Sequence, residues 1–277
     1  MTVRGSETGF VEVPSARLAH DAAGQGPGLV LVHAGICDRS MWNPVVPRLG
    51  ASHRVVRYNC RGFGEVQVTG DVPFSNRADL IAMLDHQGMK RAAVVGVSRG
   101  GQIVIDAAIE CPDRFSALIL VAAGLSGADV PLTPEEELAF AELETLEESR
   151  NWPALIEADL RVWVDGLRGS PDRVPGVRDL VRSMEEANYR NHGDDPLDQV
   201  IRLEPPGAGR LNEINAPTLV MVGDLDTPDT LAAARLIAEG VRGGRLVILE
   251  GVAHLPSMER PDEFVSLVGA FLEEGVV

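Results

Sequence analysis

Three short segments carry side chains whose types and order could perform nucleophilic catalysis: Gly96-Val97-Ser98-Arg99-Gly100, Gly223-Asp224-Leu225-Asp226-Thr227-Pro228 and Gly251-Val252-Ala253-His254-Leu255-Pro256. A serine hydroxyl is a weak nucleophile, so attack on a carbonyl needs a base to take its proton and a carboxylate to orient that base. The chain offers these in the order Ser, Asp, His, with Asp224 and Asp226 both available as the acid. The G-x-S-x-G pattern stands where an apolar run ends and a helical pattern begins. Small residues two before and two after the serine let the backbone turn tightly there and leave the hydroxyl exposed. By itself the pattern also fits a serine that only caps a helix after a glycine turn. Of the six histidines, His20, His53 and His86 fall in or beside regular elements and His192 in a helical stretch, which leaves the loop residue His254 as the base candidate.

Holding such groups together requires strands ending on a common edge. Residues 28–33, 91–97, 117–122 and 217–222 are short, almost continuously apolar runs rich in Val, Ile and Leu, and 54–58 and 245–249 look like further members. Strands apolar on both faces belong to a parallel sheet covered by helices on each side, whereas a half-exposed antiparallel strand would alternate. Helical patterns at 76–88, 100–110 and 260–274 lie between and after them, so the fold class expected is α/β. Residues 10–14 and 16–21 alternate more and are expected as an antiparallel hairpin at the sheet edge. From 126 to 210 no strand-like run occurs; the acidic segment 135–148, the stretches around Trp152 and Trp163, and those around Met184 and Tyr189 read as a helical insertion closed by Pro205-Pro206-Gly207. The acidic segment is expected to be a solvated helix face. The two Trp residues either pack the insertion or line a pocket.

Composition narrows the function classes. The 277 residues include 25 basic and 41 acidic side chains, a net charge of −16, the wrong sign to gather nucleic acid or anionic lipid. With 45% hydrophobic and 24% charged residues the chain is globular in type. Cys37, Cys60 and Cys111 are widely spaced, which disfavours a disulfide framework or thiolate zinc site and fits a reducing cytoplasm. Residues 1–13 lack the apolar core of an export signal, and no stretch reaches the roughly 18 apolar residues of a membrane span. No H-E-x-x-H or P-loop motif is present, and the Gly24, Gly26, Gly28 run precedes a strand and does not follow one, so no metal or dinucleotide is expected.

Taken together, the sequence resembles the α/β-hydrolase fold enzymes with a helical cap, of the esterase, lactonase and cofactor-free haloperoxidase-like group. Besides the three segments above, residues 31–36 resemble the family's H-G oxyanion loop, and Met41-Trp42, Asn59-Cys60-Arg61-Gly62-Phe63-Gly64 and Glu259-Arg260-Pro261-Asp262-Glu263-Phe264 resemble other family segments. The resemblance implies a hydrolase core over 1–125 and 211–277, a mostly parallel twisted sheet flanked by helices, and a cap over 126–210. It implies Ser98 as nucleophile, His254 as general base and then acid, and Asp226 as the orienting carboxylate, with Asp224 as the fallback. The implied oxyanion donors are the backbone N–H groups of Gly35 and Arg99, and His33, Ile36 and Trp163 are candidate pocket residues. Asn59 stands where the family more often has an acid, and the glycine of the His33 loop is displaced by one residue. Fold relatives that cleave halides or epoxides use a carboxylate nucleophile, so Ser98 argues for acyl chemistry without a cofactor; a mostly apolar pocket between cap and sheet is expected to take a small or medium neutral ester or lactone, and the cysteine pattern puts the expected location in the cytoplasm. Perhydrolase or haloperoxidase chemistry, carbon–carbon hydrolysis, cofactor-free oxygenation and a ligand sensor without turnover stand as alternatives. The oligomeric state is not legible; an exposed apolar surface on the insertion would allow a homodimer.

Overall fold

Alternation of side chains along each central strand places one apolar set on each face of a single sheet, which is why the runs are unbroken in sequence. Val30 and Val32, Leu118 and Leu120, and Val220 and Val222 enter one core; Leu29 and Leu31, Ile119 and Val121, and Leu219 and Met221 enter the other. The structure, a computed structural model, describes residues 7–70, 72–192 and 199–274. The first six residues of the stretch read for an export signal, positions 193–198 of the expected insertion and the last three positions of the expected core lie outside the described residues.

Among the described residues the sheet comprises β1 (Glu7–Val13), β2 (Ala16–Ala23), β3 (Gly28–Val32), β4 (Arg54–Tyr58), β5 (Gln67–Val68), β6 (Ala92–Val97), β7 (Phe115–Val121), β8 (Thr218–Gly223) and β9 (Arg245–Leu249). Their order is β1-β2-β4-β3-β6-β7-β8-β9, with β5 paired to β2. β1 and β2 form the expected antiparallel hairpin, turned at Pro14-Ser15, and the strands from β4 to β9 along that order are parallel.

The helices are α1 (Val46–Leu49), α2 (Asn76–His86), α3 (Arg99–Glu110), α4 (Pro134–Glu148), α5 (Trp152–Asp159), α6 (Pro175–His192), α7 (Pro228–Gly240), α8 (Pro256–Glu259) and α9 (Pro261–Glu274). α2, α3 and α7 bury Leu80, Ile105 and Ile237 on one face, while α1 and α9 bury Leu49, Phe264 and Val268 on the other. α4, α5 and α6 all lie between β7 and β8, with a π-helical turn at Leu160–Gly166. In that interval the pairing among described residues is a single bridge from Val200 to Phe74. Ser75 caps α2, and Thr133 with Glu136 forms a capping box on α4.

The expectation of a solvated α4 face is corrected at one position. Glu136 is buried, and beyond the cap its carboxylate accepts the Asp229 backbone N–H at 2.7 Å, tying α4 to the first turn of α7. Among the described residues no helix is long and apolar enough to cross a membrane.

Glycines set how closely α3 approaches the sheet. A Cβ on Gly96 would stand 2.4 Å from Gly100 O, and one on Gly100 would stand 2.5 Å from Val32 O. Gly100→Ala should therefore destabilise the fold by about 1–3 kcal/mol in urea denaturation, as a methyl forced against backbone does. Gly269→Ala, within α9 and with nothing near its Cβ position, should stabilise it by about 0.5–1 kcal/mol through helix propensity. Equal midpoints for the two variants would contradict this picture of the α3 contact.

Candidate active site

β3, β6, β8 and β9 end on one edge, where open α/β sheets place their sites, and the loops that follow them carry the residues singled out by sequence. Ser98 sits between the last residue of β6 and the first of α3, with φ 54° and ψ −118°, a conformation an L-residue adopts only under strain. Backbone bonds pin this turn: Ser98 N–H donates to Val121 O at 2.9 Å, and Ser98 O accepts from Gln102 and Gly124 at 3.1 Å. Gly35, from the loop after β3, lies beside it, since a Cβ built there would be 3.9 Å from Arg99 Cβ.

The two aspartates after β8 diverge. Both Asp226 carboxylate oxygens reach His254 Nδ1, at 2.8 and 2.9 Å, and Oδ1 also accepts the Thr227 N–H at 2.8 Å. Asp224 instead accepts the Gly251 N–H at 2.7 Å and ties the acid loop to the histidine loop. The Asp226 side chain is 0% exposed and that of His254 5%. A carboxylate can only accept, so Nδ1 carries the imidazole proton and Nε2 keeps the free lone pair. His254 and Ser98 line the same cavity.

Sequence reasoning assigned no role to the groups that hold the histidine loop. Glu259 of α8, fully buried, accepts the N–H groups of Ala253 at 3.0 Å and Leu255 at 3.1 Å, the residues on either side of His254. Arg173 pairs with Glu259 and also donates to the carbonyls of Gly251 and Val164. His254 N–H donates to Trp163 O at 3.2 Å, so the π-helical turn is bonded directly to the histidine loop. Glu259 lies in a segment already quoted for its family resemblance; Arg173 carries no sequence signal.

The cavity, of about 490 Å³, lies between this edge and α4, α5 and α6. Gly35, Ile36, Ser98, Arg99, Trp163 and His254 are all among its walls. The Trp163 ring centre stands 4.7 Å from that of His254, and Trp152 instead stacks on Tyr189 at 4.5 Å. The pocket expectation for His33 is corrected: the ring is 1% exposed, with Nδ1 against Ala34 O at 2.8 Å and Nε2 accepting the Cys60 N–H at 3.0 Å. Burial holds its pKa down at about 4, a neutral ring that braces two loops. Asn59 likewise braces, accepting from Arg39 N and donating to Glu65, a pairing an acid at this position could not make with that carboxylate. Among the described residues no group of three His, Cys, Asp or Glu side chains could hold a metal ion.

Three carboxyl groups on the far wall were not foreseen: Glu147 of α4, Asp159 of α5 and Glu185 of α6. Asp159 and Glu185 lie close enough to perturb each other, and Trp163 Nε1 donates to Asp159 at 3.1 Å. Burial pushes Asp159 up to about 7; burial and then the Asp159 charge push Glu185 well above the usual carboxylate range.

Residues 29–267 match the sequence profile of the alpha/beta hydrolase family, and the chain belongs to that family. It is 26% identical over 265 residues to a pimeloyl-[acyl-carrier protein] methyl ester esterase of Aeromonas hydrophila subsp. hydrophila, covering 90% of this chain and 96% of that protein. It is 25% identical to a 2-hydroxymuconate semialdehyde hydrolase of Pseudomonas sp. (strain CF600), over 92% of this chain and 89% of the other. The crystal structure of the enol-lactonase from Burkholderia xenovorans LB400 superposes with a TM-score of 0.74 at 24% identity, over 96% of this chain and 100% of that one.

The raised Asp159 makes stability depend on pH with a definite sign. Between 3.8 and about 7 the unfolded chain has lost the Asp159 proton while the folded chain keeps it, so rising pH favours unfolding across that window. Asp159→Asn removes this slope. The melting temperature of the variant minus that of the wild type should rise from pH 4 to pH 8; a flat difference would show the carboxyl to be unperturbed and a falling one would show its pKa to be lowered, and either would contradict the raised value.

Proposed function

We propose that the chain is a serine hydrolase of small or medium esters or lactones, with Ser98 as nucleophile, His254 as base and then acid, and Asp226 as the carboxylate that orients it. The observation that carries this reading is the buried Asp226–His254 pair, whose histidine lines the cavity that Ser98 also lines. Supporting it, the curated relatives are named for ester and semialdehyde hydrolysis, and a fold neighbour for enol-lactone hydrolysis.

In the proposed reaction His254 Nε2 takes the Ser98 hydroxyl proton as the oxygen adds to the carbonyl carbon. The charge developing on the carbonyl oxygen is met by the backbone N–H groups of Gly35 and Arg99. The latter opens α3, where the amides have no partner within the helix and the helix dipole favours negative charge. Each such donor lowers the barrier by about 3 kcal/mol in comparable sites. Collapse breaks the carbon–oxygen bond, and His254 returns the proton to the leaving alkoxide. Water, deprotonated by His254, then adds to the acyl-enzyme and frees Ser98. Asp226 stabilises the imidazolium in both halves of the cycle. Residues 126–210 act as the cap that shapes the acyl and alcohol sites and keeps bulk water out, anchored by the Trp163–His254 and Glu136–Asp229 bonds.

Treatment with a small fluorophosphonate followed by intact-mass analysis and peptide mapping should give one adduct at Ser98, lacking in Ser98→Ala. Ser98→Ala and His254→Ala should each lower kcat/KM on a responsive ester by roughly a thousandfold or more with melting temperatures near wild type. Asp226→Asn should cost far more activity than Asp224→Asn. A folded protein that takes no adduct and turns over no ester would favour a ligand sensor instead, and the reverse ranking of the aspartates would overturn the choice of acid.

A further inference from the structure

The cavity carries a feature that ester hydrolysis by itself does not require. Asp159 at the end of α5 and Glu185 in the middle of α6 are 8% and 3% exposed, and both border the space that Ser98 and His254 share. Glu185 Oε2 has no hydrogen-bond partner. No ion pair joins either carboxyl to a cation among the described residues: Arg182, one turn before Glu185, pairs with Glu157, and Arg178 pairs with Asp165 and Glu157. Glu147 adds a third carboxyl on the same wall, and the Arg99 guanidinium, the cation of the opposite wall, lies over the Phe63 ring at 5.0 Å. Burying acids without a counter-charge is costly, and an amide or an apolar residue would fill the same space at less cost. Such a pair is retained where a ligand supplies what is missing.

We propose that Asp159 and Glu185 form a recognition subsite for a protonated amine, so that the cavity selects esters or lactones carrying an ammonium group. This rests on the hydrolase reading above and names the substrate class for the same site. A primary ammonium has three N–H donors, which the Glu185 and Asp159 carboxylates would accept, and its charge replaces the proton the two acids otherwise share. Trp163 fixes the spacing: its indole N–H holds Asp159 while its ring lies tilted beside His254, with centres 4.7 Å apart, so the ammonium would sit one indole away from the reacting carbonyl. Trp163 and Tyr189 line the same space, and aromatic rings attract a cation in their own right. A net charge of −16 draws cations toward the cavity mouth. An anionic substrate would bring a like charge toward these carboxyl groups, and a neutral one would leave the pair holding its proton.

The test uses two kinds of measurement on wild type, Asp159→Asn and Glu185→Gln. The first is kcat/KM for p-nitrophenyl 6-aminohexanoate against the isosteric p-nitrophenyl heptanoate. Wild type should prefer the ammonium ester by about tenfold or more, equivalent to about 1.4 kcal/mol, and each substitution should collapse that ratio toward one. The second is calorimetric titration with hexylammonium chloride and with 1-hexanol, which needs no acyl chemistry. Hexylammonium should bind wild type and Ser98→Ala alike, bind more tightly than hexanol, and lose that advantage in both carboxyl variants. Thermal melts report folding; should Glu185→Gln unfold, Asp159→Asn carries the comparison. Ester hydrolysis dependent on Ser98 with the same charge ratio in all three proteins would overturn the subsite and leave the hydrolase reading standing. Hexylammonium binding lost in the carboxyl variants, in a protein that turns over no ester, would overturn the hydrolase reading and keep the subsite.

Discussion

The contact between the first turn of α3 and the ends of β3 and β6 is the constraint on which the site depends. Backbone atoms of Gly96, Gly100 and Val32 lie so close that a single methyl at either glycine would collide with a carbonyl oxygen. That approach is what forces Ser98 into a positive φ and points its side chain away from the sheet into the cavity. The strain of order 1–3 kcal/mol expected for such a residue is held by the bonds from Ser98 to Val121, Gln102 and Gly124 and by the apolar packing of α3 on the sheet. A turn so restrained cannot relax, which is what a preorganised nucleophile needs.

The helices between β7 and β8 are joined to the site by specific polar bonds as well as by apolar contact. Glu136 crosses to the backbone of α7, Arg173 bridges Val164 to Gly251 and Glu259, and Trp163 O receives the His254 N–H. Each bond ends on the histidine loop or on a helix that directly follows the acid or histidine loop. The position of His254 is therefore set jointly by the sheet edge below and the helices above, and the cavity they enclose takes its shape from both.

The distribution of acids shows how one residue type serves different ends in different surroundings. Asp226 is buried but satisfied by His254 and the Thr227 amide, and Glu259 by two amides and Arg173. Asp159 and Glu185 are also buried, with each other, one indole N–H and, among the described residues, no ion-paired cation. The first two positions explain themselves through the folded structure; the second two are the pair proposed above to receive a ligand's ammonium group.

Sequence alone determined the α/β architecture, because strands buried on both faces must be apolar at every position and helices between them must not be. It determined the Ser98 turn, whose glycine spacing is a local steric requirement, and the order of the serine, acid and histidine segments. The helix Pro228–Gly240 carries its own sequence signal, Pro228 in its first turn and apolar residues at 231, 234 and 237. Only the tertiary structure decided that Asp226 meets His254 while Asp224 braces Gly251, since two residues on one short loop differ only in which way the loop presents them. Likewise it alone withdrew His33 into the core, docked Glu136 on α7 and brought Asp159 and Glu185 together. The physical reason is common to all: periodicity and turn chemistry act between neighbours in the chain. These pairings join segments far apart in sequence, and no local pattern records them.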